Sequence, residues 1–236
     1  MTRPLAGQGV ILTGAAQGLG AAIARLFAAR GAWLALLDYN RAALEETVAH
    51  CGAEAMGITV DLSDAAATEE AIMAAFAQLG RVDTVIHNAA ILDPRPFEDE
   101  TLGSFCRTVQ VGLQAGFQLA RAAWPGMSET GGTLIFVSSR SGIEGFANET
   151  AYCAAKHALE GLAKSLTLEG ADRNIRCHVV TPGMYMRTPM SERNYDEAAR
   201  RNWIDPDKLA PAFMYLAEGR ARTDVGTRIN TSAHRS

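Results

Sequence analysis

Short aliphatic runs alternate with longer segments of helical period along almost the whole chain, and this alternation limits the possible folds before any motif is considered. Residues 10–12 form a first apolar run. A helical segment follows with Ile23, Leu26 and Phe27 on one face and a stop near Gly31. Residues 33–37 read as a second strand, and Asn40 is placed to cap a helix around Leu44 and Val48. A third strand is expected at 58–60, then a helix with Ile72, Met73, Phe76 and Leu79 along one side before Gly80. Further strands are expected at 82–86, 134–137 and 175–180, separated by helices over 105–124 and 151–168. Beyond Met184 the pattern loosens, with a helix expected over 208–216 and a last strand near 227–230. Strands this short and apolar, each followed by a helix, predict a parallel sheet covered on both faces. The expected class is α/β, a doubly wound parallel sheet in one domain over residues 1–236.

The remaining composition excludes more than it suggests. The 236 residues carry a net charge of -4 with 20% charged residues, so neither a nucleic-acid nor a membrane partner is indicated. The first residues do not read as a signal peptide, and no apolar run approaches the roughly 18 residues of a membrane span. A cytoplasmic location is the expectation. Cys51, Cys106, Cys153 and Cys177 are scattered without ligand spacing, as are the five histidines, so neither a disulfide nor a metal is expected.

In open parallel sheets, ligands bind beyond the carboxyl ends of the strands. Thr13-Gly14, Asp38, Asp61, Asn88, Ser138-Ser139 and Thr181-Pro182-Gly183 each fall at such an end. The first of them opens the run Thr13-Gly14-Ala15-Ala16-Gln17-Gly18-Leu19-Gly20, which leads into the first helix. Glycine lets backbone approach a pyrophosphate, and a helix N-terminus attracts its charge. The spacing is GxxxGxG, so the usual GxGxxG pattern is not matched literally; the position between strand and helix carries the dinucleotide reading. Asp38 ends the second strand, where a carboxylate accepts the adenosine ribose hydroxyls and repels a 2′-phosphate. A plainer role, capping the next helix, is the alternative. NAD is therefore expected in preference to NADP.

Tyr152 and Lys156 stand four residues apart on a helix and so share a face. A free phenol titrates near about 10 and is a poor base at neutral pH. A positive charge about 4 Å away is worth roughly 4 kcal/mol at an effective dielectric near 20, enough to bring Tyr152 toward the working range. Such pairs are common on helix surfaces; this one gains weight because it directly follows the Ser-rich end of a strand.

Together these residues resemble the short-chain dehydrogenase/reductase family over nearly the whole chain. The matching pieces are residues 13–20, Asp61-Leu62, His87-Asn88-Ala89-Ala90, Ser139, the Tyr152/Lys156 pair and Pro182-Gly183. The resemblance implies a Rossmann-like domain that interconverts a secondary alcohol and a ketone by hydride transfer, often as a homo-oligomer (tetramer or dimer). It implies Tyr152 as acid/base, Ser139 on the substrate oxygen, and Lys156 on the nicotinamide ribose. Ser138 and Ser141 are nearby, but the family's spacing selects Ser139. Gly14, Gln17, Gly18, Leu19, Asn88, Ala90, Val111, Pro182 and Gly183 are carried over as cofactor contacts, with Asp61 and Leu62 at the adenine edge.

Three departures bear on function. The family usually has an asparagine in the long helix, helping to hold a water between the lysine and solvent; counting back from Trp124-Pro125 places Gly112 there. The run from Pro182 carries one extra residue before Thr188, the expected carboxamide contact. Residues 184–205 form a short substrate-side segment, where Met184, Tyr185, Met186, Tyr195 and Trp203 suggest an apolar pocket and Arg187 or Arg193 an acidic or hydroxylated substrate. A catalytically weak dinucleotide-binding regulator or scaffold is the competing reading, supported by Gly112 alone.

Overall fold

The computed structural model describes residues 4–183, 186–196, 203–219 and 228–231. In chain order the elements are β1 (Gly9–Thr13), α1 (Gly18–Ala29), β2 (Trp33–Asp38), α2 (Arg41–Cys51), β3 (Ala55–Thr59), α3 (Ala65–Leu79) and β4 (Thr84–His87). They continue with α4 (Leu102–Val109), α5 (Ala115–Thr130), β5 (Gly132–Val137), α6 (Thr150–Gly170), β6 (Ile175–Thr181), α7 (Pro189–Asn194), α8 (Ala210–Ala217) and β7 (Arg228–Asn230). Seven strands form one sheet in the order β3-β2-β1-β4-β5-β6-β7. Every pairing is parallel.

Alternation along each strand splits the core into two layers, as period-two side-chain geometry requires. Val10, Leu12, Leu34 and Leu36 face one way and pack with Phe27 of α1 and Phe213 of α8. Ile11, Ala35 and Leu37 face the other way, in the layer that holds Ile72 of α3, Leu119 of α5 and Leu159 of α6. Both faces of the central strands are thus buried, which is why their sequence is continuously apolar. The chain order reverses between β1 and β4, so the crevice beyond their carboxyl ends is the topological switch point.

Several elements differ from expectation for local reasons. β3 begins at Ala55, because this edge strand is only half-buried and lacks a clear apolar signature. Met73 is exposed, and α3 packs through Thr68, Ala71, Ile72 and Ala75, small residues that let the helix lie close to the sheet. The expected long helix is interrupted by a π-turn over Gln110–Gln114, between α4 and α5. Asn40 caps α2 as expected, accepting the Ala43 N–H at 3.3 Å. The expected final strand is present as β7, in register with β6 through Val180 and Ile229, while Thr227 lies outside the described residues.

Candidate active site

The carboxyl ends of the strands open onto a cavity of about 750 Å³. On its first wall, β1 turns into α1 through the glycine run. Gly14 has a φ of +65°, and a Cβ there would press on Asn88 and the Ala89 backbone. Asn88 Nδ2 instead donates to the Gly14 carbonyl at 2.9 Å, and Thr13 Oγ1 accepts the Asn88 and Ala89 N–H groups at 3.2 Å. Gly20 faces away from the cavity: a Cβ there would overlap the Gly14 carbonyl, so it allows the helix to pack closely on the turn.

Asp38 is buried at the end of β2, with 7% of its surface exposed. Its Oδ2 accepts the Ala16 N–H and its Oδ1 the Asn40 N–H, both at 3.0 Å. The carboxylate therefore ties the glycine loop to the β2 turn, and capping of α2 falls to Asn40. Asp61 is held low mainly by hydrogen bonds from Ser63, with Arg107 3.6 Å away.

The opposite wall is built by the end of β5 and the start of α6. Ser139 Oγ accepts the Ser141 N–H at 3.2 Å, and Ser139 and the Tyr152 phenol line the cavity together. Lys156 is buried, donates from Nζ to the Val137 carbonyl at 2.6 Å, and lies 5.5 Å from the Tyr152 ring centroid. The expected downward pull of Lys156 on Tyr152 is not met. Burial pushes the phenol well above its usual value, opposed by the Ser139 side chain, while burial lowers Lys156 itself to about 8. Ser138 points elsewhere, toward Gly142, and Ser141 donates to Glu149 at 2.9 Å. Of the three serines, Ser139 is the one whose side chain bears on the Tyr152 phenol, favouring its ionised form.

Gly112 sits within the π-turn, where an added Cβ would come 3.2 Å from the Ala155 methyl, one residue before Lys156. Beneath it His87 is fully buried and shares a 3.0 Å hydrogen bond between Nδ1 and Thr13 Oγ1. Burial first, and the Lys156 charge second, lower His87 to about 3, so the imidazole is neutral.

The cavity brings together the residues that the sequence placed far apart. Gly14, Gln17, Gly18, Leu19, Asp38, Asp61 and Leu62 line one part. Asn88, Ala90, Val111, Ser139, Tyr152, Lys156, Pro182, Gly183 and Thr188 line the rest. Thr188 packs against Gly18, where a Cβ would meet its methyl at 2.9 Å; its hydroxyl caps α7 by accepting the Ser191 N–H at 3.1 Å. Of the expected apolar patch, Met186 and Tyr195 line the cavity, Trp203 does not, and Met184 and Tyr185 lie outside the described residues. Arg193 lines it, whereas Arg187 faces Glu192 at 3.8 Å. Sequence reasoning missed Glu149, which lines the same wall, and Arg228 of β7. Arg228 donates to the Ser139 carbonyl and pairs with buried Glu160 at 3.0 Å. The only sequence signal for Glu149 is its place three residues before Tyr152; Arg228 carries none.

The chain that builds this cavity is similar to known proteins over nearly its whole length. Residues 8–199 match the family model described as short chain dehydrogenase. The chain belongs to the short-chain dehydrogenase family. It is 32% identical to a 2,5-dichloro-2,5-cyclohexadiene-1,4-diol dehydrogenase of Sphingobium indicum, over 96% of this chain and 95% of the relative. It is 29% identical to the D-threitol dehydrogenase of Mycolicibacterium smegmatis, over 92% of this chain and 88% of the relative. Among solved structures, it is 26% identical to the 3-ketoacyl-(acyl-carrier-protein) reductase of Brucella melitensis complexed with NADH. That match has a TM-score of 0.89 and covers 96% of this chain and 97% of the other. As a short-chain dehydrogenase, the protein is an oxidoreductase of a family that binds a nicotinamide cofactor. Among the described residues no helix is long and apolar enough to cross a membrane, and no three His, Cys, Asp or Glu side chains gather as a metal site.

Proposed function

We propose that this short-chain dehydrogenase interconverts a secondary alcohol and a ketone with NAD as its cofactor. The observation that carries the reading is the gathering of Ser139, Tyr152 and Lys156 on one wall of a cavity whose other wall is the glycine turn and Asp38. The bare backbone at Gly14 and the Asp38 carboxylate fit a dinucleotide, which when bound supplies the hydride acceptor or donor. Asp38 favours NAD, because its buried charge repels a 2′-phosphate, and Arg41 at the start of α2 is engaged by Glu45 at 2.8 Å.

Tyr152 gives its phenolic proton to the substrate oxygen in the reductive direction and takes the carbinol proton in the oxidative one. Ser139 donates to the same oxygen and fixes the carbon in place. Lys156, tied to Val137, offers its remaining N–H groups to the cofactor ribose and places a positive charge beside the Tyr152 ring. The dimer or tetramer implied by the family resemblance belongs to the same proposal, and light scattering on a sizing column tests it.

The deciding experiment follows reduced cofactor by its absorbance while the protein is offered NAD or NADP and a panel of secondary alcohols. Turnover with NAD that Tyr152→Phe lowers by about 10²-fold or more, with cofactor affinity retained, is the expected result. Tight NAD binding without turnover of any alcohol would make the protein a regulator or scaffold instead.

A further inference from the structure

The polar groups on the substrate-side wall continue past the Ser139–Tyr152 pair. Ser139 Oγ is 3.4 Å from Ser141 Oγ, and Ser141 Oγ donates to Glu149 Oε2 at 2.9 Å. Ser141 is buried, Glu149 is half-buried, and both line the cavity. Glu149 occupies the N-cap position of α6, yet its side chain makes no capping hydrogen bond. Three residues before Tyr152, it shares that residue's helix face and turns into the cavity.

Its second oxygen, Oε1, makes no hydrogen bond among the described residues, and no cation stands within ion-pair distance there. Arg140 pairs with Glu144, Arg95 with Asp93 and Arg228 with Glu160. A carboxylate left with one unengaged oxygen inside a substrate cavity is an acceptor waiting for a donor.

Building on the alcohol/ketone reading above, we propose that Glu149 is a specificity-determining residue. It accepts a hydrogen bond from a second hydroxyl on the carbon next to the reacting one. The substrate class is then a vicinal diol or polyol, and the oxidised product an α-hydroxyketone. Ser139 and Tyr152 fix the reacting oxygen; Ser141 is the spacer that sets Glu149 one functional group further along the wall. An ionised carboxylate cannot donate, so an ether, a carboxylate or a phosphate at that place is left unpaired or repelled. An ammonium is disfavoured because Arg107, Arg140 and Arg193 line the same cavity. The relative named for threitol acts on a substrate with hydroxyls on adjacent carbons, in keeping with this assignment, whereas the relative named for a cyclohexadiene-1,4-diol has its two hydroxyls on opposite carbons.

Matched pairs test it: cyclohexanol against 1,2-cyclohexanediol, and 2-butanol against 2,3-butanediol. The wild type is expected to favour the diol in kcat/KM by about tenfold or more, the usual worth of a charge-assisted hydrogen bond. Glu149→Leu is expected to erase most of that preference, mainly through KM. Glu149→Gln, whose amide oxygen still accepts, keeps part of it. Thermal stabilisation of the NADH-loaded protein by each diol gives a readout independent of turnover, and it too should shrink in Glu149→Leu.

Equal use of alcohol and diol, or a diol preference that survives in Glu149→Leu, overturns the assignment while leaving the oxidoreductase reading intact. If no alcohol is turned over, that broader reading fails, and the binding arm alone decides the role of Glu149. Absence of diol binding to the loaded wild type then overturns it.

Discussion

Lys156 donates a 2.6 Å hydrogen bond to the carbonyl of Val137, so the ammonium beside Tyr152 is anchored to the end of β5 in a fully buried position. Burial lowers its pKa from 10.5 to about 8, with Glu160 opposing. The unfolded chain therefore binds more protons than the folded one between pH 8 and 10.5, and stability owed to this group rises across that window. Urea melts at pH 7.5 and 10 should show the wild type gaining on Lys156→Met by about 1–3 kcal/mol. A difference that does not change with pH would show that Lys156 is not held in this way.

Tyr152 is expected to show itself in the pH dependence of turnover. Burial holds the phenol protonated well above its usual range, ready to donate in the reductive direction. Oxidation needs the phenolate, whose population grows tenfold per pH unit below the pKa. Alcohol oxidation should climb steadily from neutral into alkaline pH, while ketone reduction stays nearly level until the phenol begins to titrate. Stopped-flow rates in both directions check this, and an oxidation profile that is level from pH 7 upward would contradict it.

Arg228 and Glu160 are 3.0 Å apart, with side chains 20% and 7% exposed, and Arg228 also donates to the Ser139 carbonyl. Removing one partner of such a pair strands a buried charge. Arg228→Leu should cost about 3–5 kcal/mol, and adding Glu160→Gln should recover part of it. Because Arg228 also steadies the serine loop, the double variant should regain stability without regaining turnover. Chemical denaturation and kcat on the three proteins separate the two effects.

The sheet was legible in the sequence because its central strands are buried on both faces and so are apolar throughout, as in Val10-Ile11-Leu12 and Leu34 to Leu37. β3 was displaced in expectation because an edge strand keeps one side wet, and Ala55-Met56-Gly57 has little β character. Met73 misled because α3 buries alanines and a threonine, which hydropathy undervalues next to a methionine. Most of the expected cavity-lining residues were legible because they end a strand or open a helix, while Val111, in the π-turn, followed only from the family resemblance. Glu149 was not, since a lone acid between Asn148 and Thr150 reads as an ordinary surface residue until the fold turns it inward. The π-turn at Gly112 has no local signature either; it lies against α6, where an added Cβ would meet Ala155. The burial that raises the Tyr152 phenol was not legible, because the sequence supplies the spacing to Lys156 but not the surroundings of the ring.

Asp38 joins cofactor choice to loop geometry, since its two oxygens hold the Ala16 and Asn40 N–H groups. Asp38→Asn removes the charge and turns an NH₂ group toward one of those donors. Affinity for NADH should fall about tenfold, affinity for NADPH should fall less or rise, and the melting temperature should drop by a few degrees. Fluorescence titration with both cofactors measures the ratio. An unchanged NADH to NADPH ratio would remove Asp38 from cofactor selection.

Gly112 faces the Ala155 methyl at a distance where an added Cβ sits at 3.2 Å, tighter than ordinary contact. Restoring an asparagine there therefore requires α6 to give by a few tenths of an ångström next to Lys156. Gly112→Asn should destabilise by about 1 kcal/mol, and pairing it with Ala155→Gly should show a favourable coupling of about 0.5–1 kcal/mol. The added amide also offers a site for a water between Lys156 and solvent. Where proton exchange limits turnover, the variant should run faster and show an altered pH profile. The same kcat and the same profile in Gly112→Asn would mean that the glycine costs this enzyme nothing in proton transfer, and that the carbonyls of the π-turn already suffice.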